Sequence, residues 1–200
     1  MKKSEETRTE ILKKSMEVIY KKGYHAASID DMLQATQVTK GAFFYHFTSK
    51  EDMCLHMLKE VFANRTYDIW TRPLENSVDP IKDLLQLLRD ILYDDERFDV
   101  KYGCPMINLI EEISPNHPVL RKELRAMTLE WMSGFEKLLL KGQQIGKVDS
   151  TVNCRETAAF IVAGYAGARN MGKIFGTSAY QTYLNQLELH LNASSSPSVN

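Results

Sequence analysis

The sequence predicts an all-α protein: an N-terminal three-helix head built around a helix-turn-helix, followed by a larger helical body. Three observations predict it. Apolar residues recur at helical spacing nearly everywhere, and no segment alternates with the period of two that a strand requires. Pro and Gly number only 6 and 10 and fall mostly where helices would begin or end. At 200 residues, 44% hydrophobic and 26% charged, the chain can bury a sizeable core and has an ordinary soluble composition.

The elements follow in order. The first helix is expected from Thr7, where Thr7-x-x-Glu10 makes a capping box. Ile11, Leu12, Ser15, Met16, Ile19 and Tyr20 then share one face, and Gly23 caps the C-terminus. Ser28-x-x-Asp31 opens a short second helix with Met32 and Leu33 inward. A turn at Thr36-Gln37-Val38 leads to a third helix, capped by Thr39 and running to about His46. Ser49-x-x-Asp52 starts a long fourth helix with Cys54, Leu55, Leu58, Val61 and Phe62 on its apolar face, ending before Pro73. The tight link between helices two and three suits the near-perpendicular pair of a helix-turn-helix.

The body reads as helical throughout. Asp79-Pro80 is an N-cap followed by proline at the first helical position, with Leu84, Leu87, Leu88, Ile91 and Leu92 on one face. Residues 94–103 form a polar loop, and Cys104 to Ile113 a short apolar helix. A long helix follows Pro118 to about Lys141, aligning Leu120, Leu124, Met127, Trp131, Phe135 and Leu138. Asn153-x-x-Glu156 caps a helix over 154–174 rich in Ala and Gly, and Ser178-x-x-Gln181 opens a last helix with Tyr180, Tyr183, Leu184, Leu187 and Leu191 on its face. The expected divisions are a helix-turn-helix domain over 1–50, a helical body over 51–192 and a disordered tail over 193–200.

Charge and cysteine usage exclude several classes. Net charge is −1, but residues 1–50 carry nine Lys and Arg against six Asp and Glu, and the remaining 150 carry sixteen against twenty. A mildly basic head on a mildly acidic body is compatible with a head that meets nucleic acid. Cys54, Cys104 and Cys154 are too widely spaced for a disulfide framework or a C-x-x-C metal site and fit a reducing, cytoplasmic setting. No signal peptide and no membrane-spanning stretch is expected. Cys54 and His56 point in different directions on a helix, which argues against a shared metal ion. A cysteine-dependent enzyme would need a base beside Cys104, and neither His117 nor any flanking signature supplies one. No catalytic residue, cofactor or metal is expected.

The run from Val38 to Lys50 carries the functional reading. A helix that enters the major groove needs donors at its start, groups that reach phosphates, and small residues where backbone approaches DNA. Thr39 and Lys40 supply the donors, and Gly41 and Ala42 the room. Tyr45 and His46 can bond phosphates, Phe44 can meet a thymine methyl, and Lys50 lies at the next helix start. Ser28 caps a helix whose free N–H groups can face a phosphate. Phe43 and Phe47, four apart, are expected in the core. Asp30 and Asp31 limit phosphate contacts from the second helix.

The stretch from Thr7 to Phe62 resembles the N-terminal domain of the TetR (tetracycline repressor-like) family. The matching residues are Ile11-Leu12, Gly23-Tyr24, Ser28-Ile29-Asp30-Asp31, Val38-Thr39-Lys40-Gly41, Phe44-Tyr45-His46-Phe47 and Ser49-Lys50-Glu51. The resemblance implies an all-helical homodimer whose heads bind a palindromic double-stranded DNA operator and whose body binds a small-molecule inducer. Carried over by position, the DNA contacts are Ser28, Thr39, Lys40, Gly41, Ala42, Phe44, Tyr45, His46 and Lys50.

In the body, the Ala/Gly-rich helix and the Tyr/Leu stripe of 180–191 suit a four-helix dimer interface. An inducer site should be apolar with few polar groups. Its candidate lining is Phe98, Tyr102, Cys104, Met106, Asn108, Met127, Trp131, Phe135, Tyr165 and Arg169, which suits a small apolar or aromatic ligand. The segment Tyr102-Gly103-Cys104-Pro105 resembles a Gly-Cys segment of a TetR subgroup that includes electrophile-responsive members. By that resemblance Cys104 is a candidate thiol sensor, with Lys173 as a nearby cation; the helix start would favour its thiolate. A ligand-released repressor is the leading reading. The alternatives are a helical protein-interaction module that does not bind DNA, and a redox or electrophile sensor acting through Cys104.

Overall fold

The computed structural model describes residues 2–193, with side chains from Ser4 on. The residues form helices α1 (Lys2–Lys22), α2 (Ile29–Thr36), α3 (Lys40–His46), α4 (Lys50–Met57), α5 (Ala63–Thr66), α6 (Pro80–Leu92), α7 (Pro105–Ile113), α8 (Pro118–Gln144), α9 (Cys154–Phe175) and α10 (Ser178–Ala193). They divide into two compact units. One holds the chain up to Arg65 together with Pro105–Met127; the other holds Thr66–Cys104 and the chain from Thr128 on. Residues 194–200, most of the expected disordered tail, lie outside the described residues.

In the first unit, α1 buries Ile11, Leu12, Ser15 and Ile19. It starts at Lys2, not at Thr7, because Ser4, Glu5 and Glu6 contain no breaker and acidic residues favour a first turn. The Thr7 capping box is therefore an interior pair. Gly23 takes φ +87° and donates its N–H to the Ile19 carbonyl at 2.8 Å, closing α1 as expected. Ser28 and Asp31 make the full reciprocal cap of α2, and Thr39 Oγ1 accepts the Ala42 N–H at 3.2 Å at the start of α3. Gln37 bends the chain between them with φ +56°.

The fourth helix differs from expectation. After Met57 the backbone widens into π turns over Leu58–Phe62, resumes as α5, widens again over Tyr67–Thr71 and tightens to a 3-10 turn over Arg72–Leu74. The Ala63 N–H bonds the Leu58 carbonyl and the Arg72 N–H the Tyr67 carbonyl, each five residues back. No residue type in these stretches signals the extra residue per turn.

In the second unit, α6 buries Ile81, Leu84, Leu88, Ile91 and Leu92, and Asp79 caps it through the Lys82 N–H. An aromatic core gathers Trp70, Trp131, Phe135 and Tyr165; the Trp70 and Trp131 rings lie 4.4 Å apart, and Trp70 and Tyr165 4.8 Å. Helix α10 packs on α9 so closely that a Cβ on Gly164 would lie 2.5 Å from the Tyr183 ring. This corrects the reading of 180–191 as a dimer stripe. Tyr180, Leu184, Leu187 and Leu191 are all buried within the unit, because covering α9 and α6 takes that whole face. The start of α10 also differs: Ser178 Oγ donates back to the Phe175 carbonyl at 2.8 Å, and Thr177 supplies the cap carbonyl.

Candidate nucleic-acid interface

Helix α3 presents two opposite faces. Phe43 and Phe47 are buried, their ring centroids 5.6 Å apart, and anchor the helix to the unit. Between them Tyr45 is 77% exposed and Phe44 44% exposed. Leaving two large aromatics in water is unfavourable unless a partner covers them. Thr39, Lys40 and Gly41 are exposed at the start of the helix, and a Cβ on Gly41 would meet only Thr39 Oγ1, at 3.9 Å. That end of α3 is open to an incoming backbone. His46 packs edge-on to Tyr45 at 4.9 Å, and burial together with the Arg8 charge lowers its pKa. At neutral pH it therefore offers a hydrogen bond to a phosphate, not a charge.

The scaffold behind α3 is polar and firmly bonded. Ser28 N–H donates to Asp31 at 2.9 Å, and Lys22 Nζ reaches the same carboxylate at 2.5 Å. These contacts, the Lys22 bond first, hold the Asp31 carboxyl at about 2. Its charge is thus committed to the cap and to Lys22. Arg8 forks onto Glu60 and lies 5.3 Å over the Phe47 ring, and His56 Nδ1 meets Glu60 at 2.8 Å. Lys50 Nζ donates to the carbonyls of Tyr24 at 2.9 Å and Ala27 at 3.0 Å. Two of its three donors thereby tie the start of α4 to the α1–α2 turn.

Residues far along the chain complete this unit. Glu112 accepts the His25 N–H at 3.1 Å, and its carboxylate fills the space above Gly23. His25 Nε2 lies 2.9 Å from the Glu112 carbonyl, and His117 Nδ1 2.9 Å from Glu51. Sequence reading missed Glu112, His117 and Arg8 as supports of the head. Their partners are 87, 66 and 52 residues away, a separation that no local pattern reports.

The pocket candidates separate. Met106, Asn108 and Met127 belong to the first unit; Phe98, Tyr102, Cys104, Trp131, Phe135, Tyr165 and Arg169 belong to the second. In the second, Arg169 donates to the Tyr165 hydroxyl at 3.0 Å and the Phe98 carbonyl at 3.2 Å, and the Trp131 ring meets those of Phe135 and Tyr165 edge-on. Trp70 and Tyr180 belong to the same cluster but are absent from the sequence-derived lining; Tyr180 is expected only on the apolar face of the last helix, and the partners of Trp70 lie far along the chain. Cys104 is buried, directly precedes α7 and lies against the Tyr165 hydroxyl. Lys173 stacks its Cε where a Gly103 Cβ would stand, 2.5 Å away, which Gly103 permits at φ +73°. The Cys54 thiol is buried and pushed up to about 12, so it is inert. Among the described residues no cluster of His, Cys, Asp and Glu can hold a metal, and no helix is long and apolar enough to cross a membrane.

A capped helix pair with a left-handed turn between its members, whose second helix exposes Thr39, Lys40, Gly41 and Tyr45, defines a helix-turn-helix DNA-binding protein. Comparison with known proteins gives the family. Residues 11–57 match the model for bacterial regulatory proteins of the tetR family, and residues 80–186 that for the tetracyclin repressor-like C-terminal domain. The chain is 30% identical over 161 residues to the HTH-type transcriptional repressor DhaR of Mycobacterium sp. (strain GP1), covering 80% of this chain and 79% of that one. It is 34% identical over 126 residues to an uncharacterized HTH-type transcriptional regulator in the lacX 3' region of Lactococcus lactis subsp. lactis, covering 60% and 62%. A TetR transcriptional regulator from Chloroflexus aurantiacus J-10-FL has the same fold, with a TM-score of 0.86 at 24% identity over 98% of both chains. The chain belongs to the TetR family: it is a DNA-binding transcriptional regulator and not an enzyme.

Proposed function

We propose that the protein is a cytoplasmic repressor, released by a small molecule, that reads a palindromic operator as a homodimer. Residues 1–50 read DNA, and 51–192 bind the ligand and the second copy. The observation that carries this is the two-faced α3, with Phe43 and Phe47 locked inward and Phe44 and Tyr45 held in solvent. Thr39, Lys40, Gly41 and Ala42 approach the groove floor and flanking phosphates; Tyr45, His46, the α2 start at Ser28 and the remaining donor of Lys50 hold the backbone. Two heads spaced by about 34–36 Å would meet successive half-sites.

A stripe on α9 supports the dimer. Phe160, Ala163, Gly167, Met171 and Ile174 are all exposed at helical spacing, with Ile174 74% exposed and open space above Gly167. The test is a gel shift on DNA flanking the gene, backed by random-site selection. A competitor-resistant complex that Tyr45→Ala loses supports the reading; no binding to any selected sequence overturns it. Ile174→Asp should convert dimer to monomer in sedimentation.

One observation favours a second mode of release. Cys104 sits beside the Tyr165 hydroxyl, with Lys173 packed on the adjoining Gly103. In this reading an electrophile that modifies Cys104 releases the operator, and unchanged operator affinity after complete thiol modification overturns it.

A further inference from the structure

The core of the second unit buries an arginine bonded only to neutral acceptors and an indole N–H with no hydrogen-bond partner. Arg169 is fully buried. It donates to the Tyr165 hydroxyl at 3.0 Å, the Tyr180 hydroxyl at 3.1 Å, the Phe98 carbonyl at 3.2 Å and the Ile91 carbonyl at 2.5 Å. None of these partners is a carboxylate. The rings of Phe98, Tyr165 and Tyr180 lie 5.1, 5.5 and 5.1 Å from the guanidinium carbon. Burial raises the Tyr165 phenol far above its ordinary range, so it stays neutral and adds no balancing charge. A buried cation of this kind normally has an anion beside it.

A second donor is left over beside the same tyrosine. Trp131 is 1% exposed, its ring lies 5.3 Å from the Tyr165 ring, and its Nε1 has no hydrogen-bond partner. A buried N–H without an acceptor is rare in a folded protein and calls for an explanation. Arg169 and Trp131 thus flank Tyr165 with one uncompensated charge and one uncompensated donor, against flat apolar walls from Trp70 and Phe135.

We infer that Arg169 and Trp131 form the receptor for a small organic anion with a flat apolar body, of the aromatic carboxylate class. This rests on the ligand-released reading above and gives that ligand a chemistry. A carboxylate matches the planar fork of the guanidinium, and its charge-assisted bonds displace neutral carbonyl acceptors. The acceptors displaced are Ile91, at the end of α6, and Phe98, in the loop that follows. Binding therefore detaches Arg169 from that turn and selects a conformation different from the ligand-free one.

The test uses the full-length protein with sodium benzoate and its neutral counterpart benzamide. Trp70 and Trp131 are the two tryptophans of the chain, so intrinsic fluorescence reports the site directly. Benzoate should give a saturable change, with benzamide about tenfold weaker or worse. Arg169→Gln should abolish the preference for the anion. Trp131→Phe keeps an aromatic ring there but removes the indole N–H together with the pyrrole ring, and it should weaken benzoate several-fold in a protein with an unchanged circular dichroism spectrum, even if Arg169→Gln does not fold. Equal binding of benzoate and benzamide overturns the inference. So does the absence of saturable binding by benzoate, salicylate and phenylacetate, or unaltered benzoate affinity in Trp131→Phe. A gel shift on the same preparations separates the two claims. Loss of operator binding alone overturns the repressor reading and leaves the anion site standing; intact operator binding without anion binding overturns only the site.

Discussion

In α3, Phe43, Phe44, Tyr45 and His46 occupy consecutive positions, so helical geometry distributes them around the whole circumference. Two anchors, Phe43 and then Phe47, suffice to fix which of the others face water. The aromatic core of the second unit is built the opposite way. Trp70, Trp131 and Tyr165 come from three distant stretches of chain and all converge inward. The contrast teaches that the fate of an aromatic in the head is decided within one helical turn, whereas in the body it is decided by partners far along the chain, such as Tyr165 for Trp131 and Trp131 for Trp70.

The largest expected effect separates the two faces of α3. Phe43→Ala should destabilise the protein by about 3–5 kcal/mol in urea unfolding, as loss of a fully buried aromatic does. Phe44→Ala, its exposed neighbour, should stay within about 0.5 kcal/mol of the parent. A comparable loss in both variants would break the comparison. Next, Tyr45→Ala should leave the melting temperature in place while weakening operator binding by about tenfold or more, measured by fluorescence anisotropy at fixed salt. A smaller effect comes from the cap: Ser28→Ala should cost about 1 kcal/mol, because the Asp31 N–H loses its acceptor.

The finest test is pH. The Arg8 bond, followed by His56, holds the Glu60 carboxyl at about 2 instead of its ordinary 4.5. A depressed carboxyl stabilises the fold fully above pH 4.5, and that contribution disappears as pH falls through 2. The urea midpoint should therefore decline across this window, and Glu60→Gln should flatten the decline. An identical pH profile in the variant would remove Glu60 from the supports of the head.

The sequence made the head legible because its signals are short-range. Ser28, Thr39, Ser49 and Asp79 all cap the helices their spacing predicts, and Gly23 ends α1. The start of α1 differs from the expectation because a capping box looks the same inside a helix as at its end. The body was legible as helices but not as contacts. The stripe of α10 is apolar whether a second copy or α9 covers it, and only the packing distinguishes the two. Arg169 is placed in the pocket lining by the sequence, but the acceptors that hold it buried are carbonyls 71 and 78 residues earlier, which no local pattern reports.

The compact unit that carries α1–α3 is discontinuous, since Pro105–Met127 folds with it and grips the α1–α2 turn through Glu112. Anyone building a chimera that lends this reading specificity to another regulator must therefore transplant two pieces of chain. Residues 1–65 alone would leave Gly23, His25 and Glu51 facing a foreign surface. Carrying Pro105–Met127 along restores the native neighbours of all three.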